Sequence, residues 1–556
     1  MKIKNIAYSA LLALMAVSAS SCEDFLSKNP DDRMELDSPE KMQMLLVSGY
    51  TDGNIAYMCE LSGDNFVDNN APNASGQRYN LGELARIDNE IFAWEPAVSS
   101  DQQDSPSHMW EGCYHAIACA NQVLQRVAEY EAEGRGDEVS AVKGEALVIR
   151  AYHHFLLANL FCMPYGGAEA SKSLQGLPYM TEPETTLNVV YDRGNLADFY
   201  DKIEQDLLAG LPLINDDIYD QPKYHFNTTA ANAFAARFFL FKRDYPNVIK
   251  YADAALQTSG VPPISMFNDV WSHSFAEPEL ICQYYISVER QCNFMLITTI
   301  SNYASLYNTR YAINGEALNA TLQGSGPTWS GQHPCYDGKL YIRGSQEYGA
   351  FFPNFIGLFE FSDKVAQIGY YHIVRPEFTT EETILCRAEA KFYMGDIPGG
   401  LADLKAWDDA RQINTSTTTQ PDLTADLIKS FYASVGNGVA KELHIDEVFP
   451  SSEYQLTDDI EPYIQCVLHY RRLNNIGDGT RWFDIKRYGI ELTHTIGASR
   501  VEHLTINDSR RAFQLPADVI SAGMQPTYRP ADDGSNDDLI RLPIPDRDNV
   551  NNFVGK

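Results

Sequence analysis

Long apolar runs are missing from this 556-residue chain. No segment beyond its start approaches the about 18 uninterrupted apolar residues that a bilayer-spanning helix needs. Basic charge is also scarce. With 43 Lys and Arg against 75 Asp and Glu, the formal net charge is −32, which argues against a broad basic face for phosphate backbones or anionic lipid. No nucleic-acid partner is expected. Ten cysteines are present, but none forms CxxC and none joins histidines at zinc-finger spacing, so a structural zinc site is not expected. Catalytic motifs are missing too: there is no HExxH, no GxSxG, no P-loop and no GxGxxG behind a strand. The acidic stretch DDGSNDD at 532–538 offers oxygens for calcium but lacks the spacing and terminal glutamate of an EF-hand loop. No cofactor and no metal is assigned, and a structural calcium ion has no motif behind it. Carboxylate pairs abound among so many acids, so pairing alone does not identify a glycosidase.

What is there begins with a sorting signal. Lys2 and Lys4 give a basic start, Ile6 to Val17 form a short apolar run, and Ala19, Ser20 and Ser21 lead directly into Cys22. That order reads as a cleavable leader over 1–21. Small residues ending in a cysteine resemble the lipobox of bacterial lipoproteins, with Ala19 where a leucine is usual. The resemblance implies that Cys22 is the lipidation site, carrying acyl chains such as palmitate that hold a folded domain on a membrane without a spanning helix. The other nine cysteines are an odd set. Cys162, Cys386 and Cys466 lie inside apolar helical stretches, as buried thiols do, rather than in a disulfide framework.

Residues 22–38, the cysteine and an acidic stretch containing Pro30, read as an extended tether. Helical patterns dominate after it, and 39–556 reads as one domain. In KGEALVIRAYHHFLLANLF, Ala146, Ile149, His153, Leu156 and Leu160 recur at three- and four-residue steps. His153 and His154 are neighbours on that helix, about 100° apart, so they cannot easily share one metal. Further helices are expected near 105–131, 195–213 and 228–242, the last with Asn227 as its N-cap. The stretch 380–411 reads as two helices reversed at Gly395–Asp396, with Ala402, Ala406 and Ala410 at the contact. Paired helices of this length resemble tetratricopeptide units. The segments 260–376 and 436–460, and the tail from 500, read as irregular lobes rich in glycine, proline and aromatics.

The stretch HYRRLNNIGDGTRWFDIKRYG, 469–489, alternates cations, rings and one acid. Arg481 or Arg487 is expected to pair with Asp484 or a nearby acid, with Trp482 and Phe483 buried. Its core GDGTRWFDIKRYG looks like the C-terminal signature of the SusD/RagB family. In the same order, CEDFL, MWEGCYHAIACANQVL, EALVIRAYHHFLLANLFCMPYG, TTAANAFAARFFLFKRDY, ILCRAEAKFYMGD and IRLPIPDRDN resemble other family segments. NNIGDG stands where the family more often carries a glutamate-containing run, which puts a local ion pair in doubt.

The resemblance implies an all-α, SusD-like fold of four tetratricopeptide-like helix pairs with irregular lobes carrying the ligand site. It implies a lipid-anchored outer-membrane protein facing outside, of Bacteroidetes type, that captures oligosaccharides for a SusC-like TonB-dependent β-barrel transporter. Such a protein is not an enzyme. The same architecture with peptide cargo, a surface glycoside hydrolase, or a lid without affinity of its own are the alternatives. The family's ligand residues form no fixed motif. Sugars offer flat C–H faces to aromatic rings and hydroxyls to polar side chains, so the candidates are Asp64, Asn65 and Arg78 in an early loop, Trp94 after it, and Trp329 and Tyr336 in the middle lobe. Trp110, Trp407 and Trp482 lie in helical patterns and are assigned to the core.

Overall fold

Helix periodicity sets the frame. The structure is a computed structural model that describes residues 35–184, 189–331, 349–412, 419–433 and 438–529. Its main helices are α1 (Pro39–Val47), α2 (Ile55–Ser62), α3 (Pro106–Ala132), α4 (Ser140–Phe161), α5 (Leu196–Gly210), α6 (Thr228–Phe241), α7 (Tyr245–Leu256), α8 (Thr380–Tyr393), α9 (Ile397–Asp409), α10 (Glu461–Asn474) and α11 (Thr480–Arg487). The expected start signal at Asn227 is in place, and two further caps join it. Asn227 Oδ1 accepts from the Ala230 amide at the start of α6, and Ser105 and Thr379 cap α3 and α8 in the same way. Gly395, at φ 79°, turns α8 back into α9.

Successive helices pack side by side: α3 on α4, α4 on α5, α6 on α7, α7 on α8, and α8 on both α9 and α10. Helices as apolar all round as α4 and α6 must be covered on every side, and nearly all of α4 from Val142 to Phe161 is buried. One continuous hydrophobic core runs from Met42 to Leu515. His153 and His154 sit inside it as packed histidines. Each has Nδ1 against the carbonyl one turn back, and Nε2 accepts a backbone amide, from Thr51 and Met180 respectively. The eight cysteines among the described residues are buried and free.

The expectation of irregular lobes over 260–376 and in the tail needs amending. Three small antiparallel sheets draw strands from these segments: β1 (Val67–Asp68) with β3 (Tyr311–Ala312); β2 (Asn293–Ile300), β5 (Ile368–Thr379) and β4 (Leu358–Asp363) in the order β2-β5-β4; and the hairpin β6 (Leu492–Ile496) with β7 (Arg500–Leu504). The fold is helix-dominated and not purely helical. The strands escape a search for helical periodicity because their burial changes along their length, as β5 shows.

Candidate functional site

β5 is two half-strands in one. From His372 onward it lies against β2 and the core, where Ile373, Val374 and Phe378 are buried. Its anchor is ionic. Arg237 of α6 donates to the Glu377 carboxylate at 2.7 Å and, through Nη2, to the Glu377 carbonyl at 2.7 Å. Arg375 donates to the other Glu377 oxygen, and its Nη1 reaches the Asp478 carbonyl at 3.1 Å. Burial would raise the Glu377 carboxyl, but the two guanidiniums outweigh it and hold it below its ordinary value.

Before His372, β5 leaves the core and pairs only with β4. Register puts Phe359 opposite Tyr371 and Phe361 opposite Gly369, so these side chains share one face of the hairpin. The rings are in the open: Phe359 is 44% exposed, Phe361 41% and Tyr371 53%. They pack on one another, with Phe359 5.1 Å from Tyr371 and 4.9 Å from Phe361, centroid to centroid. Gly369 lies under the Phe359 ring, and a Cβ there would stand 2.8 Å from Phe359 Cζ. The turn is tied by Asp363 Oδ1, which accepts from the amides of Val365 and Ala366 at 2.8 and 2.9 Å. A hairpin anchored through β5 therefore holds a cluster of rings in solvent, the arrangement that stacks on a flat apolar ligand face.

The other face of the hairpin carries Glu360, Tyr370 and His372, with His372 Nδ1 3.6 Å from the Glu360 carboxylate. At its base Asp104 Oδ1 accepts from the Ser301 hydroxyl at 2.5 Å and Oδ2 from the Asn302 amide at 2.7 Å. Burial pushes the Asp104 carboxyl up to about 7.

The residues singled out in the sequence go elsewhere. Asp64, Asn65 and Trp94 come together, but in the interior. Arg481 grips Asp64 with two bonds of 2.9 Å, and Arg472 donates to Asn65 Oδ1 at 2.8 Å and to the Asp64 carbonyl at 2.7 Å. Asn65 donates to Glu60 at 2.9 Å. Trp94 is buried, donates from Nε1 to the Ser62 carbonyl at 3.0 Å and stacks on His494 at 4.1 Å. Trp329 is buried as well, donates to the Gly324 carbonyl at 3.0 Å and lies against His469 and Tyr470 of α10. Side chains enclosed and bonded in this way present nothing to a glycan, and their role here is to hold segments together. Arg78 is exposed on the loop at 69–82. Tyr336, Cys22 and the DDGSNDD stretch lie outside the described residues. Among the described residues no three His, Cys, Asp or Glu side chains converge to hold a metal.

The signature segment explains itself physically. Arg471 and Arg487 close on Asp484 from opposite sides at 2.9 Å, and Arg487 forks onto Glu389 of α8 at 2.7 and 2.8 Å. Arg481 pairs with Asp64 instead of Asp484, while Trp482 and Phe483 are buried. The hairpin has a local signal in the sequence, since LFEFSD and QIGYYHIV flank the three residues Lys364, Val365 and Ala366 with the alternation of a ribbon.

Residues 24–240 match a SusD-like family model described as starch-binding associating with outer membrane. That matched segment, rather than the whole chain, is what resembles the family. A comparison with curated proteins finds no match. Solved structures give the same fold at low identity. A SusD superfamily protein from Bacteroides vulgatus is similar at TM-score 0.59 and 15% identity, over 89% of this chain and 100% of that one. One from Bacteroides thetaiotaomicron is similar at 0.57 and 15%, over 88% and 100%. A laminarin-binding SusD-like protein matches at 0.50 and 13%, over 88% and 98%. In this SusD-like chain no described helix is long and apolar enough to cross a membrane.

Proposed function

We propose that this SusD-like protein is a surface-exposed, glycan-binding lipoprotein that captures oligosaccharides and delivers them to a partner TonB-dependent outer-membrane transporter. In this reading residues 1–21 are a leader, acylated Cys22 and the tether to 38 fix the chain to the outer face of the outer membrane, and 39–556 form one binding domain. The binding reading rests on one observation: Phe359 packed between Phe361 and Tyr371, all three in solvent on one face of a hairpin whose β5 strand is anchored in the core at its other end. Arg78, which is exposed, and Tyr336 stay as candidate polar and stacking contacts. The family description and the laminarin-binding relative support a polysaccharide as the cargo. The missing catalytic motifs support binding without hydrolysis.

The test is affinity electrophoresis of the chain from residue 23 through gels containing laminarin or starch. Retardation is expected in one of them, and Phe359→Ala with Tyr371→Ala should abolish it without moving the melting temperature. Retardation unchanged in that double variant would remove the hairpin from the site. Binding to peptides alone would make peptide the cargo, and release of reducing sugar would make the protein a hydrolase.

A further inference from the structure

A hollow with a volume of about 270 Å³ lies away from the hairpin. One face of α3 forms its floor: Trp110, Tyr114, Ile117 and Asn121 recur at helical steps. Met180 and Met524 close the sides, and Glu182, Glu184 and Tyr191 stand at the mouth. Trp110 and Tyr114 lie 4.8 Å apart at 51°, and Trp110 is braced edge-on by Phe161 at 5.2 Å. The floor is thus aromatic and fixed.

Its polar chemistry has one sign. The Asn121 amide is spent on the structure: Nδ2 donates to the carbonyls of Met180 and Glu182, and Oδ1 accepts from Arg150 at 2.9 Å. The Tyr191 hydroxyl donates to Glu184 at 2.8 Å. That leaves two carboxylates at the mouth, and no Lys or Arg lines the hollow or pairs with either acid among the described residues. Aromatic faces attract a cation, best over tryptophan and in a desolvated place. A carboxylate pair with no internal cation attracts the same charge.

We propose that this hollow binds a small organic cation, with its apolar body on Trp110 and Tyr114 and its ammonium at Glu182 and Glu184. The size suits it, since about 270 Å³ lies just under the usual range of small-molecule sites, about 300–1,000 Å³. The site shares no residue with the hairpin surface and does not depend on its role.

The test is calorimetric titration of the full chain with phenethylammonium and with the neutral 2-phenylethanol. The ammonium should bind at least tenfold more tightly than the alcohol. Glu182→Gln with Glu184→Gln, both exposed, should remove most of that advantage and leave the alcohol's affinity unchanged. Ala118→Trp, which fills the hollow from the surface of α3, should abolish binding of both. No measurable binding of the ammonium, equal affinity for both probes, or ammonium binding that survives Ala118→Trp would each overturn the proposal. Unfolding midpoints of the variants, expected at the wild-type value, separate lost binding from lost folding.

Discussion

Asp64 shows how one residue type supports two opposite readings. An acid followed by asparagine in a loop looks like a pair that meets hydroxyls, yet here Arg472 and Arg481 reach it from α10 and α11. Burial alone would push its carboxyl up, but these guanidiniums hold it well below the ordinary carboxylate range. Its stabilisation is therefore complete above about pH 4 and lost only in strong acid. Asp64→Asn leaves two buried guanidiniums short of charge and should cost about 3–5 kcal/mol in urea unfolding at neutral pH. A loss under about 1 kcal/mol would show that the pair is no more than a surface bridge. Phe359 behaves in the reverse way. Phe359→Ala should leave stability within about 0.5 kcal/mol, because an exposed ring contributes little to folding. In whichever gel retards the wild type it should weaken binding about tenfold, equivalent to about 1.4 kcal/mol.

At the scale of elements, the hairpin and the signature segment are mechanically joined. Arg375 of β5 ties to the Asp478 carbonyl, and the turn at Gly477–Gly479 is held by Glu60, whose Oε1 accepts both glycine amides at 3.1 Å. Gly479 sits at φ 85°, and a Cβ there would come 2.8 Å from Ala56 Cα. Gly479→Ala should thus destabilise the whole chain, by more than the about 1–2 kcal/mol of the left-handed backbone alone. Gly369→Ala crowds the Glu360 carbonyl and the Phe359 ring but lies on the projecting half of β5. It should lower glycan binding while the global unfolding midpoint hardly moves. Helices such as α4, α6 and α8 were legible because their periodicity is long and their caps are local. The β2-β5-β4 sheet was not, because the inner half of β5 reads as core and the outer half as polar loop with rings, with no single period across both.

The whole molecule carries opposed titrations. Burial pushes Glu60 and Asp104 up to about 7 and Asp478 up to about 6. Between about pH 4 and 7 the folded state keeps protons that the unfolded state has lost, so these acids make stability fall as pH rises. Burial also lowers His153 to about 4 and His469 to about 3. The unfolded chain then binds the extra protons below about 6.5, so these histidines make stability rise with pH over the same window. Removing one acid should uncover the histidines: Asp104→Asn should show a steeper gain in urea stability from pH 4.5 to 6.5 than the wild type, by up to about 1.4 kcal/mol per pH unit. An unchanged slope would mean that Asp104 is already ionised across the window. On the proposed anchoring at Cys22, Cys22→Ala should move the protein from the membrane fraction to the soluble fraction; continued membrane association would assign the anchor to another segment.

The helix cap at Asn227, the long helices and the cation-and-ring pattern at 479–487 lie in the sequence itself, because each depends on neighbours within a few turns. The same local logic misplaced Asp64, Asn65, Trp94 and Trp329, for loop context does not say what a distant helix brings to cover a side chain. Arg481 meets Asp64 across 417 positions, and Phe359, Phe361 and Tyr371 become one face only through strand register. Which rings are covered and which stay in water is a property of packing, and tertiary structure alone decided it.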